Sequence, residues 1–276
     1  MISWRLWRGL HSKTGDGSVY WHYILVNRRR RLYEQSDRPQ PRWMQLSGFG
    51  AVAVLFSGIW VVLIPFLPLI LLASGTMLGI SCAVQVSSAI TYERERARYD
   101  VASVLPMGST GASWVIARII IQQMDLLQRV HTLVGSFVLI FSLGIIGFFL
   151  INGLTLATAI IGVTVLVVLY IDFVQSVLTG TILGTGIATI SRERLSSTTT
   201  SLLAFMMVQF CFYAIVGILC LLILPLIVNN TLALTLLQLG VIVMGREMLL
   251  YGLWLWAAIR LDATLDELNS TVKTLS

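Results

Sequence analysis

The chain's 276 residues are 57% hydrophobic and only 12% charged, which excludes a soluble domain with a polar surface. The net charge of +6 requires no nucleic-acid partner, because the basic residues cluster beside apolar runs where the inner leaflet of a membrane attracts them. Cys82, Cys211 and Cys220 all fall inside apolar runs and read as small packed hydrophobes, while His11, His22 and His131 are too scattered for paired haem ligation.

Uncharged runs of about 20 residues, enough for a helix to cross a bilayer, recur along the chain. They are solidly apolar, without the alternation of a membrane barrel, so the fold class is all-α: a polytopic membrane protein. Residues 1–45 form a basic leading segment. Ile2, Trp4, Leu6, Trp7 and Leu10, set against Arg5 and Arg8, predict a short helix lying in the membrane interface. Residues 13–18 are a turn. Arg28, Arg29, Arg30 and Arg31 then face anionic lipid, each contributing roughly 1 kcal/mol.

The transmembrane region covers residues 46–259. The first span is expected over 46–64, flanked by Trp43 and Trp60, and the second over 66–90 after a tight turn at Pro65 and Pro68. A polar loop region, 91–130, follows. Within it, residues 113–130 read as an amphipathic surface helix that runs on into a third span over 132–151. Asn152 and Gly153 turn the chain outside, and a fourth span runs over 154–190. A second charged loop, Ser191 to Arg194, precedes a fifth span over 202–228. Asn229 and Asn230 turn the chain again, a sixth span occupies 232–259, and residues 260–276 form an amphipathic tail.

All 19 Lys and Arg lie in the leading segment, the two charged loops or the tail, except Arg246 within the last span. The turns at 65–68, 152–153 and 229–230 hold none. Both termini and both charged loops therefore belong in the cytoplasm of a cell-membrane protein, which requires an even number of crossings, six. Gly75/Gly79 and Gly180/Gly184 are GxxxG pairs that permit close helix packing. Each precedes a charged loop, by internal duplication or by chance likeness among glycine-rich spans.

Asp172, Arg246 and Glu247 lie deep in apolar runs, each costing about 2.5–3.5 kcal/mol near a helix centre, so each needs a partner or water. Gln175 shares a helix face with Asp172. Asp172 is expected to pair with Arg246 across the fourth and sixth spans, either as a buried pair that sets helix register or as the polar lining of a path. Adjacent residues on one helix do not face each other, so Glu247 needs a partner elsewhere, in this chain or another.

The loop reads TYERERARYDVASVLPMGSTGASWVIAR over residues 91–118. Its Pro106 and Gly108 end the helical pattern, and its alternating charges suit a protein groove better than lipid headgroups; the plain alternative is a solvated connection. Glu93, Arg94, Glu95, Arg96, Asp100 and Pro106 resemble the cytoplasmic loop of type-2 ABC-transporter permeases, with Ala97, Arg98 and Arg118 standing where Gly, Thr and Lys are usual. The resemblance implies a coupling helix that docks on a separate ABC ATPase subunit, which would hold the ATP and Mg. It also implies an amphipathic elbow before the first span. A six-span chain would be half a pathway, completed by a homodimer or a related second permease.

No phosphate loop, H-E-x-x-H, C-x-x-C or G-x-S-x-G signature is present in the chain, so no enzyme activity and no cofactor of its own is expected. The short outer turns favour an exporter over a receptor-fed importer. The rival from another class is a non-transporting membrane scaffold or anchor subunit of a larger complex.

Overall fold

The computed structural model describes residues 1–11, 67–95, 108–152, 155–191, 193–228 and 230–261. The expected span over 46–64, the arginine run 28–31, Arg96, Asp100, Pro106 and residues 262–276 of the tail lie outside them. Among the described residues the regular elements are all helical. They are α1 (Ile2–His11), α2 (Leu67–Glu95), α3 (Gly108–Gln123), α4 (Asp125–Asn152), α5 (Leu156–Ile190), α6 (Arg194–Ile218), α7 (Leu224–Ile227) and α8 (Thr231–Arg260). A π-helical turn over Leu219–Ile223 joins α6 to α7.

Among the described residues five stretches are long and apolar enough to cross a membrane: Leu71–Glu95, Asp125–Gly147, Leu156–Ile190, Arg194–Ile227 and Thr231–Arg260. In hydrocarbon each backbone N–H and C=O must be satisfied within the segment, and a helix does this for any apolar sequence. Helix starts follow local chemistry: the side chain of Thr155 accepts from the Thr158 N–H, and that of Asn230 from the N–H groups of Leu232 and Ala233.

The organising element is α5. Residues 172–188 are buried on every side, because α1, α2, α3, α6 and α8 all pack around this half of the helix. Small residues make that enclosure possible. A Cβ on Gly180 would overlap the Gly79 carbonyl, one on Gly184 would crowd the Ala83 carbonyl, and one on Gly75 would sit 3.2 Å from the Phe173 Cα. Gly79 and Gly180 thus face each other, with the two GxxxG pairs offset by one turn, and α2 and α5 run parallel at backbone contact. Gly186 receives the Trp256 ring and Asp172 meets Arg246, so α8 runs parallel to them as well. Gln209 beside Ser176 and Tyr213 beside Asp172 set α6 antiparallel, as Tyr170 on His131 and Gly162 on Ile145 do for α4. Along α5 the hydroxyls of Thr179, Thr181, Thr185 and Thr189 donate to carbonyls one turn back, so they enter the core without unpaired donors.

The surface helix expected over 113–130 takes a different form. The helix α3 is buried from residue 111 to 121 on almost all sides, including Trp114 and Arg118, and it stops at Met124 before α4 begins. Its apolar and polar residues both face protein, since α1, α5 and α8 press on it. Burial pulls the Arg118 guanidinium below its ordinary pKa. The Gln128 amide donates to the Gln122 carbonyl at the break, at 2.8 Å. On the outer faces, Leu139, Leu143, Phe210, Leu221 and Leu226 are exposed, as lipid-facing helices require.

Candidate functional site

Two polar constellations stand out, one inside the bundle and one at its charged end. The inner one centres on Arg246, which is 0% exposed. Its Nε donates to Asp172 Oδ1 at 3.0 Å, one terminal nitrogen to Gln209 Oε1 at 2.8 Å, and the other to Ser176 Oγ at 2.9 Å and Tyr213 Oη at 3.1 Å. The Tyr213 hydroxyl donates to Asp172 Oδ2 at 2.8 Å. The Gln209 amide nitrogen lies 3.1 Å from Tyr213 Oη, 3.3 Å from Ser176 Oγ and 3.4 Å from Thr76 Oγ1. The guanidinium, itself 0% exposed, lies 4.3 Å from the Phe212 ring centroid, a cation–π contact. Helices α2, α5, α6 and α8 therefore meet in one network with one positive and one negative charge.

Counting from the Gly186–Trp256 contact, Asp172 lies 14 residues up α5 (186 − 172) and Arg246 lies 10 up α8 (256 − 246). The difference is about 6 Å, which an arginine side chain spans. A fully satisfied polar network in low dielectric fixes the rotation and height of each helix that contributes to it. A groove of about 340 Å³ between α6 and α8 reaches Tyr213 from the side, lined by Val216, Cys220, Leu239 and Ile242 with Gln238 and Thr235.

Glu247 leaves α8 about 100° round the helix from Arg246. Its carboxylate accepts from the backbone N–H of Ser3 at 3.0 Å and from Gln175 Nε2 at 3.1 Å. The anion sits at the N-terminus of α1, where unsatisfied N–H groups and the helix dipole favour it. Gln175 and Asp172 both reach α8, each to a different one of the adjacent charges.

At the charged end, α2 continues as helix through Tyr92, Glu93, Arg94 and Glu95. Arg94 donates to the Ala188 and Thr189 carbonyls at 2.7 and 2.9 Å, closing the C-terminus of α5. Glu95 accepts the Arg194 N–H at 3.2 Å and so caps α6, whose own N-cap Glu193 makes no side-chain bond. Arg194 in turn reaches Ser88 Oγ at 2.6 Å. One turn deeper, the hydroxyls of Ser87 and Ser197 pair, and Thr91 Oγ1 donates to Ser197 at 3.0 Å. Arg94 and Glu95 are thus engaged within the chain. Glu93 is half-buried, and Gly108 opens α3.

Gln209, Tyr213, Ser176, Thr76, Ser3 and Ser197 are contributors that the sequence reading did not single out. A signal existed for two of them: Gln209 is an amide inside an apolar span, and Tyr213 follows one turn later on the same face. Among the described residues no group of three His, Cys, Asp or Glu is placed to hold a metal. No protein-family model, curated protein or solved structure matches the chain.

Proposed function

We propose that this chain is the membrane-spanning subunit of a type-2 ABC transporter, an exporter coupled through residues 91–118 to a separate ATPase that holds ATP and Mg. The observation that carries the reading is the tie between the two charged segments. Arg94 holds the end of α5, and Glu95 holds the start of α6. A partner that displaces the loop beyond Glu95 therefore moves α2, α5 and α6 together. The Ser87, Thr91 and Ser197 hydroxyls extend the tie one turn into the bundle. The chain crosses the cell membrane six times with both ends in the cytoplasm, and a homodimer or a related second permease completes the pathway.

The second reading is a non-transporting scaffold subunit. The enclosure of Arg246 favours it, because a charge that touches no open space braces helices and lines no path. Purification of the full chain from its native membrane separates the two. The transporter reading expects a bound ATPase bearing a phosphate loop. Glu93→Lys with Asp100→Lys, which spares the internally engaged Arg94 and Glu95, should cut its retention by about tenfold or more while leaving the spans inserted. Unchanged retention together with wild-type ATP hydrolysis would refute the docking role. A stable complex without any ATPase would point to the scaffold.

A further inference from the structure

The helix α1 lies across the bundle. Its first turn meets Glu247 of α8, its middle meets α4 through Trp7 and His131 at 5.1 Å between ring centroids, and the Leu10 carbonyl accepts from Gln122 of α3 at 3.0 Å. Ser3, Leu6, Trp7 and Leu10 face the protein and are buried. Trp4, Arg5 and Arg8 face outward and are exposed, and neither arginine has an ion-pair or hydrogen-bond partner among the described residues.

The level at which α1 lies is where the lipid-facing surface changes character. On α4, Asp125, Gln128 and Arg129 are exposed, whereas from Leu133 to Ile146 the large exposed residues are all aliphatic. His131, at that switch, bonds Tyr170 of α5 at 2.8 Å. On α5, Leu156, Ile160 and Val167 are exposed above this point, and residues 172–188 below it are buried. The switch from polar to aliphatic exposure on α4 therefore puts the hydrocarbon edge on that face at the level of α1, which meets α4 at His131. That leaves the outward arginines at the height of lipid phosphates and Trp4 at the interface its ring prefers.

We propose that α1 binds anionic phospholipid headgroups through Arg5 and Arg8. Its seat on Glu247 then makes that lipid contact a stabiliser of the α5–α8 packing. The inference needs only that the chain is membrane-embedded, and it stands or falls separately from the transporter reading. Acidic lipid is the occupant because two exposed cations, without an ion-pair partner among the described residues, accompany an interfacial tryptophan on a short amphipathic helix at the hydrocarbon edge. The coupling follows from shared residues. Glu247 holds α1 by the Ser3 N–H and holds α5 by Gln175, next to the Arg246 network.

The test uses the full chain in nanodiscs of phosphatidylcholine alone, or with about a third phosphatidylglycerol, read by amide exchange over residues 3–10. Exchange should be about ten- to thirtyfold slower in the anionic discs, and the difference should shrink at high salt. Arg5→Gln with Arg8→Gln should abolish the difference without altering the neutral-disc rate. Anionic lipid should also raise the melting temperature of the wild type but not that of Glu247→Ala, in which α1 exchanges faster in both lipids. Equal exchange in the two lipids, or a lipid difference that survives the double substitution, overturns headgroup binding. A changed neutral-disc rate in the double variant assigns the arginines to the bundle and overturns it as well. A Glu247→Ala melting temperature that responds to lipid as the wild type does overturns the coupling.

Discussion

Replacing Arg246 with Met should be among the most damaging single changes in the spans. The substitution keeps the stem and removes all the guanidinium donors. Asp172, 3% exposed, would keep only the Tyr213 hydroxyl as a donor, and the Gln209 carbonyl would lose the donor 2.8 Å away. Stranding one member of a buried pair costs about 3–5 kcal/mol, and the loss at Gln209 falls within that figure because the groups share one network. Asp172→Asn should cost less. Its amide oxygen can still accept from Arg246 Nε, and Gln209, Ser176 and Tyr213 continue to surround the cation. Combining Asp172→Asn with Arg246→Gln leaves no net buried charge and should return to within roughly 1–2 kcal/mol of the wild type. Unfolding in mixed micelles by increasing SDS, followed by tryptophan fluorescence, gives all three values. The reasoning is refuted if Arg246→Met costs less than about 1 kcal/mol, or if the two charge removals simply add.

Gly180→Val should destabilise by about 1–3 kcal/mol in the same assay, since the new side chain meets the Gly79 backbone, which cannot rotate away. Gly217→Ala and Gly240→Ala, with nothing within 4 Å of the added carbon, should be neutral or stabilising by up to about 1 kcal/mol; equal losses at all three positions would show that the α2–α5 contact is not decisive. In a background with Cys82, Cys211 and Cys220 replaced, an impermeant maleimide should label cysteines at 152 and 229 from outside intact cells. Cysteines at Leu195, which is 81% exposed, and at Ser276 should label only after permeabilisation. External labelling at 195 would reverse the orientation.

Much of this architecture was legible in the linear chain because the bilayer leaves a segment few options. An uncharged run of sufficient length must satisfy its own backbone, so α5 and α8 begin and end close to where the apolar runs do, whereas α6 starts at Arg194, well before its expected span over 202–228. Asp172, Arg246 and Glu247 were legible as charges that need partners, for the same desolvation reason. The pairing of Asp172 with Arg246 was expected, and the two meet at 3.0 Å; the partners of Glu247 and the neutral groups around Arg246 were not legible. A helix enclosed on all sides, as α5 is over residues 172–188, carries no amphipathic stripe to say which face meets which neighbour. The facing of Gly79 with Gly180, and the gathering of Thr76 and Ser176 with Gln209 and Tyr213 around Arg246, therefore had no periodic trace beyond the one-turn spacing of Gln209 and Tyr213. The burial of α3 escaped for a related reason. Its spacing of Trp, Ile and Arg is that of a surface helix, and only tertiary packing, with α1 meeting Gln122 and with α5 and α8 meeting Trp114, enclosed both of its sides. Arg94 and Glu95 read as charges free to meet a partner. Their use as caps for α5 and α6 depends on three helix ends meeting in space, and only tertiary structure sets that geometry.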